Sequence, residues 1–286
     1  MSQLVVATWV VGADLTKDLD LLQRCDIHLI EVLASATGEP DLREAGVVAQ
    51  IRERLAERGQ RVHSVHSAFG AQWDLDAPQV EERDLALRHQ TALLRGAGAL
   101  DAAHVVLHGG ELPVGAPTQP QLERFLRSLE QLLPVAEEAG VLIALENLPP
   151  DHLCRSLEQL AWLLERLDPR RVGFCCDTGH AELTGTPASD FVRQFRDRLL
   201  GVHLHDNHGD SDPHLFPGLG GIDWEGFFGA LREVGYTLPL TLEALPPSEL
   251  PLQAAADIAR RCVEELHPPD LQPWLRGGRK QAAGET

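Results

Sequence analysis

Two glutamates sit where an apolar strand is expected: Glu146 in VLIALEN (141–147) and Glu243 in LPLTLEAL (238–245). A carboxylate buried in such a run must be paired or bound to a cation. Residues of similar chemistry close other apolar runs. His66 ends RVHSVHS (61–67), His108 follows HVVL in HVVLHGG (104–110), and Asp177 and His180 belong to VGFCCDTGH (172–180). His203 and His205 lie in LGVHLHD (200–206), and the segment DNHGDSDPHLFPGLGGI (206–222) adds His208, Asp212 and His214. Carboxylates and imidazoles are the oxygen and nitrogen ligands of divalent metals. Each residue alone has a plainer reading. A lone histidine at a strand end is usually a hydrogen-bonded structural residue, and Asp177-Thr178 could simply cap a helix. Their common position at the ends of successive runs points instead to a metal site.

Something must bring these ends together. Eight short apolar runs occur, the others being LVVATWV (4–10) and IHLIEVL (27–33). They are too short for helices and rich in Leu and β-branched residues, as buried parallel strands are. Between them lie segments of helical period at 42–59, 80–100, 121–140, 156–168, 188–198, 223–235 and 252–266. Several end at Gly, and Asp223 is placed as an N-cap. Eight strands alternating with helices predict a single (β/α)8 barrel, with an open doubly wound sheet as the alternative. No GxGxxG follows the first strand and GxxxxGK[ST] is absent, which weakens that alternative. A barrel places its site at the carboxyl ends of the strands, where the residues above fall. The barrel is expected over residues 1–267, and 268–286 reads as a polar, Pro/Gly-rich C-terminal tail. The stretch 206–222 is long and aperiodic, which suits a functional loop.

Composition narrows the function. The chain has 286 residues, with 43 acidic against 25 basic side chains and a net charge of -18. Affinity for a nucleic acid normally rests on neutralising phosphates, so a polyanionic partner is disfavoured, though a local basic groove is not excluded. No apolar run approaches the length of a membrane span. The five cysteines (25, 154, 175, 176 and 262) show no CxxC spacing, and the first residues read as a strand rather than a signal peptide. Both features suit a cytoplasmic protein. Cys175 and Cys176 adjoin in a strand, so only one can face the interior, and Cys is commonly just a small buried hydrophobe. His63, His89, His104, His152 and His267 read as surface or packing residues. GxSxG is absent, which argues against a nucleophile-elbow hydrolase.

LIALENLP, CCDTGHAEL, GVHLHDNHGDSDPHLFPGLGGIDW and LTLEAL together resemble the xylose isomerase-like TIM-barrel superfamily. This superfamily, AP endonuclease family 2, groups sugar and sugar-phosphate isomerases and epimerases with endonuclease IV. The resemblance covers roughly residues 62–244. It implies one divalent metal held by Glu146, Asp177, His203 and Glu243. Glu146 and Glu243 would be the catalytic proton-carrying pair, with His180, and also His66 and His108, contacting substrate. The endonuclease IV branch implies additional metal ligands at His66, His108, His180, Asp212 and His214. Mn2+ or Zn2+ best suits this mix of ligands, with Mg2+ and Co2+ also compatible. The expected activity is isomerisation or epimerisation of a small-molecule sugar or sugar phosphate through an enediolate. The alternative is a metal-dependent phosphodiesterase with a multinuclear site, and a third reading is a metabolite-binding barrel without activity. No basic cluster matches the DNA-intercalating loops of endonuclease IV, and no substrate-binding Arg of the epimerase type follows His203. The sequence leaves the oligomeric state open, a homo-oligomer included.

Overall fold

The computed structural model describes residues 3–10, 14–34, 40–112, 118–248, 250–268 and 271. Eight parallel strands pair in sequence order and close on themselves. They are β1 (Leu4–Ala7), β2 (Leu29–Leu33), β3 (Arg61–His66), β4 (His104–Leu107), β5 (Leu142–Glu146), β6 (Val172–Asp177), β7 (Leu199–Leu204) and β8 (Leu240–Leu242). The closing ladder pairs Val5 with Thr241. Each strand lies within one of the eight apolar runs, apart from the first residue of β7. The helices are α1 (Leu15–Arg24), α2 (Ala45–Arg58), α3 (Val80–Ala99), α4 (Thr118–Ala139), α5 (Leu157–Leu164), α6 (Thr178–Leu183), α7 (Ala188–Gln194), α8 (Trp224–Glu233) and α9 (Leu252–Glu265). This is a (β/α)8 barrel, as the alternation predicts.

Strand periodicity sorts the side chains into two shells. Outward residues such as Ile30, Val65, Val105, Ile143, Phe174 and Val202 pack against the helices in the main core. Inward residues fill the barrel in layers. Val106, Ala144 and Cys175 form a small separate apolar cluster inside it. Cys176 belongs to the outer core, so the adjacent pair splits as a strand requires. The layer toward the carboxyl ends is polar: Glu31, Ser64, His66, Glu146, Asp177, His203 and Glu243 are all buried.

Two helices were not anticipated. Helix α1 starts at Asp14, whose carboxylate accepts from Thr16 N and Lys17 N. Helix α6 is a six-residue turn directly after β6. Asp223 caps α8 as expected, its side chain accepting from Gly226 N. Of the stretch 269–286, Leu271 is buried and the other residues lie outside the described ones. His63 and His104 stand edge to face, with ring centroids 5.3 Å apart. His104 is buried, and desolvation pushes its pKa down to about 3, so it packs as a neutral ring.

Candidate metal centre

His203 stands at the middle of the polar layer. Its Nδ1 lies 3.0 Å from Glu146 Oε1 and 3.0 Å from Glu243 Oε2. Asp177 is further off, at 3.8 Å. The other ring nitrogen, Nε2, donates to Glu31 Oε2 at 3.2 Å, and Ser64 Oγ donates to the same oxygen at 2.6 Å. Burial opposes charge on His203, but Glu31, Glu243 and Glu146 around it raise its pKa well above the ordinary value, so both ring nitrogens hold protons. A divalent ion would replace the proton on Nδ1 while Glu31 keeps the one on Nε2, as an outer carboxylate braces a metal-binding imidazole. Glu31 was missed in the sequence reading. The signal was present, since it is a carboxylate inside the apolar run IHLIEVL, just as Glu146 is in VLIALEN.

Glu146 connects this group to a second one. His108 Nε2 lies 3.0 Å and His66 Nε2 3.5 Å from Glu146 Oε2, and the two nitrogens are 3.3 Å apart. His66 Nδ1 donates to the Ser67 carbonyl at 3.0 Å, which leaves its Nε2 lone pair facing the glutamate when the ring is neutral. Burial, and the proximity of His66, press His108 down to about 4, so that ring is neutral.

A third group forms on the seventh loop. Asp212 Oδ2 lies 3.2 Å from His180 Nε2 and 3.3 Å from His214 Nε2. Both rings are anchored through Nδ1, His180 to the Asn147 carbonyl at 3.0 Å and His214 to the Glu243 carbonyl at 2.7 Å. Asp212 and His214 therefore fold back over the rim and meet His180. His205 links this group to Asp177, donating from Nε2 to both carboxylate oxygens at 2.8 and 2.9 Å, with Nδ1 3.5 Å from Asp212 Oδ1. The resemblance did not single out His205. Gly179 permits its position, because a Cβ there would run into the His205 ring. His208, by contrast, is exposed.

The carboxylates and imidazoles charge one another. Burial opposes ionisation of Glu146, but His203, His108 and His180 outweigh it and hold the carboxyl well below its ordinary range. Glu243 is also lowered, by His203 and His66 acting against burial. Burial would likewise discharge His214, yet Asp212 and Glu243 raise it to about 9. Protons thus hold together groups that a divalent ion could hold equally well. Glu146 Oε2, Asp212 Oδ1 and His205 Nδ1 are buried without a hydrogen-bond partner. That pattern of unpartnered ligand atoms fits a cation, and the oxygen-nitrogen donor set suits Mn2+ or Zn2+. The clusters whose ligand atoms lie within 4.8 Å of one another are His66–Glu146–His203–Glu243, Asp177–His180–His205 and His205–Asp212–His214.

The mouth is narrow. Trp9, Leu33 and Phe69 border a cavity of about 140 Å3 that His66, Glu146, His180, Asp212, His214 and Glu243 also line. Trp9 Nε1 donates to Glu243 Oε1 at 3.0 Å and fixes that carboxylate. Among the described residues, neither Lys nor Arg lines this cavity.

A parallel eight-stranded barrel with carboxylates and imidazoles gathered at its carboxyl rim defines a class of TIM barrels whose rim could hold a metal. The chain belongs to the xylose isomerase-like TIM barrel family, which matches residues 19–264. An uncharacterised protein of Methanocaldococcus jannaschii is 31% identical over 188 residues, 63% of this chain and 63% of that protein. A probable endonuclease 4 of Mycobacterium tuberculosis is 28% identical over 148 residues, 49% of this chain and 57% of that one. Among solved structures, a D-tagatose 3-epimerase-like protein superposes with a TM-score of 0.80 at 22% identity, covering 98% of this chain and 99% of the other. No helix among the described residues is long and apolar enough to cross a membrane.

Proposed function

We propose that the protein is a divalent-metal-dependent isomerase or epimerase of a sugar or sugar phosphate, acting by proton transfer between substrate carbon and carboxylate. The observation that carries this reading is the placement of Glu146 and Glu243, each 3.0 Å from His203 Nδ1, at the edge of a small cavity. Glu146, Asp177, His203 and Glu243 would hold the ion, and it would supply Lewis-acid polarisation of a substrate carbonyl. The rest is done by the chain itself. Imidazole neighbours keep Glu146 and Glu243 ionised, which is the form a general base needs. One takes the proton beside the carbonyl, leaving an enediolate, and the other returns a proton. The Trp9 hydrogen bond fixes the direction of Glu243. His180 lines the cavity through a ring braced on the Asn147 carbonyl and would contact a substrate hydroxyl. Trp9, Leu33 and Phe69 would limit access of water.

One observation favours a second reading. Asp212 and His214 join His180 in a third ligand group, which suits a multinuclear phosphodiesterase. The endonuclease 4 relative points the same way. There Glu146, with one oxygen toward His203 and the other toward His108, would help hold more than one ion. The net charge of -18 and a small cavity lined by no Lys or Arg among the described residues favour the sugar. Incubation in heavy water with Mn2+ and a panel of ketoses and ketose phosphates decides between them. Deuterium on a sugar carbon is expected. Nicking of an abasic-site duplex with no deuterium in any sugar would overturn the first reading. We also propose a cytoplasmic setting, supported by five cysteines that are all buried and unpaired.

A further inference from the structure

A second cavity, of about 210 Å3, adjoins the first across Phe69, whose side chain borders both. The barrel rim builds its walls. The loop after β3 supplies Phe69, Trp73 and Asp74, the loop after β4 supplies His108 and Glu111, and the loop after β5 supplies His152. The last two loops are joined by a β-bridge between Glu111 and His152, with Leu112 N donating to the Asp151 carbonyl at 2.7 Å. Gly110 lets its loop approach Asp74, since a Cβ there would meet the Asp74 carboxylate.

The lining has a chemical pattern. Phe69 is 52% exposed and stacks on His108 with ring centroids 3.9 Å apart, so one flank of the cleft is an open aromatic face. The His108 side chain is only 7% exposed and directs Nε2 to Glu146, while its Nδ1 has no partner. Trp73 Nε1 is also buried without a partner. Asp74 and Glu111 add carboxylate acceptors, and among the described residues no Lys or Arg lines the cavity. Hydroxyl groups suit the open part of this set, because a hydroxyl donates to a carboxylate. A phosphate does not suit it, having nothing cationic to meet. The two cavities together only reach the low end of the ~300–1,000 Å3 usual for small-molecule sites.

We infer that this second cavity is a subsite for a neutral sugar ring linked to the reacting sugar, so that the substrate is a glycosyl ketose rather than a free monosaccharide. The inference rests on the isomerase reading for the neighbouring site. The added ring would lie on Phe69 and donate hydrogen bonds to Asp74 and Glu111.

Titration calorimetry of the full chain with Mn2+ tests this. The probes are glucosyl- and galactosyl-fructoses, one for each linkage, set against fructose. At least one disaccharide should bind about tenfold or more tighter than fructose. That ratio should fall at least about fivefold in Phe69→Ala and in Asp74→Asn. Phe69 is half exposed, so its truncation should leave the fold intact, and a thermal melt checks both variants. If no disaccharide outbinds fructose, or if the ratio survives both substitutions, the subsite does not exist. Heavy-water exchange separates the two readings. Deuterium in free ketoses without any disaccharide preference would leave the isomerase and remove the subsite. A disaccharide preference lost in both variants, without carbon exchange, would keep the subsite and remove the isomerase.

Discussion

His203 depends on a residue at the opposite edge of its ring. Glu31 accepts from Nε2 and so keeps a proton on that nitrogen, which leaves Nδ1, the nitrogen that faces Glu146 and Glu243, as the one that would give up its proton to a metal. Glu31→Gln keeps the shape, and its amide oxygen can still accept from His203. Glu31→Ala frees the ring to take the wrong tautomer. We expect metal affinity to fall about 10–100-fold in the alanine variant, the usual cost of losing such a partner, and much less in the glutamine variant. Competition against a chelating dye measures this without reference to turnover, and equal losses in the two variants would reduce Glu31 to packing. Glu243→Gln differs, because it removes a ligand and a proton carrier together. Turnover should drop by more than the ~10²–10⁴ of a lone acid-base group, and carbon exchange in heavy water should vanish with it. Substantial exchange in that variant would exclude Glu243 as a proton carrier. The two glutamates also mark how far the sequence could be read. Glu243 was legible because a resemblance and a strand end coincide on it. Glu31 obeys the same burial argument, but no motif drew attention to β2.

The seventh loop shows how an element without periodicity is held. Asp206 is fully buried, and its carboxylate accepts from Asn207 N at 3.0 Å, Gly218 N at 2.9 Å, Ile222 N at 3.2 Å and Trp224 Nε1 at 2.8 Å. One side chain thus joins the start of the loop to its end and to α8, and it sets where Asp212 and His214 fall. Asp206→Ala should destabilise the fold by several kcal/mol, since each buried donor left unmade costs about 1–3 kcal/mol. It should also weaken metal binding at the third group before the first. A variant that melts with the parent would show that the loop is held by other contacts. The length of this loop and its Asp-x-His pair were visible in the sequence, but its fastening was not, because Asp206 looks like any strand-end carboxylate.

Another connection carries a pH signature. Asp76, in the loop after β3, accepts from Gly110 N at 2.8 Å and from Gln121 Nε2, tying that loop to β4 and α4. Burial, and the adjacent Asp74, raise it to about 8, so the folded protein keeps a proton that the unfolded chain releases near 3.8. Stability from this group is complete below about 4 and is lost as pH rises toward 8. Asp76→Asn should therefore gain on the parent between pH 5 and 9, flattening its decline in melting temperature. Parallel decline in both proteins would remove Asp76 from the account.

At the scale of the whole molecule, the alternation of apolar runs and helical segments made the barrel legible, and with it the rim on which the ligands meet. Four carboxylates, Glu146, Asp177, Asp212 and Glu243, were expected at that rim, and with Glu31 beside His203 five crowd one end of a chain already at -18. Such a cluster is costly unless positive charge meets it, and protonated histidines do so only in part. An ion that binds the folded state alone adds stability of RT ln(1 + [L]/Kd), about 2.7 kcal/mol at a hundredfold excess over Kd. For a domain of this size that corresponds to a rise in Tm of roughly 5–10 °C. Mn2+ or Zn2+ should produce it, EDTA should reverse it, and equal ionic strength from NaCl should not reproduce it. The rise should shrink in Glu243→Gln, where one ligand is neutral, and persist in a substitution on the outer face of α3 such as Glu81→Gln. A Tm indifferent to chelator and metal would mean that the histidines alone neutralise the cluster, and the metal centre proposed here would have to be abandoned.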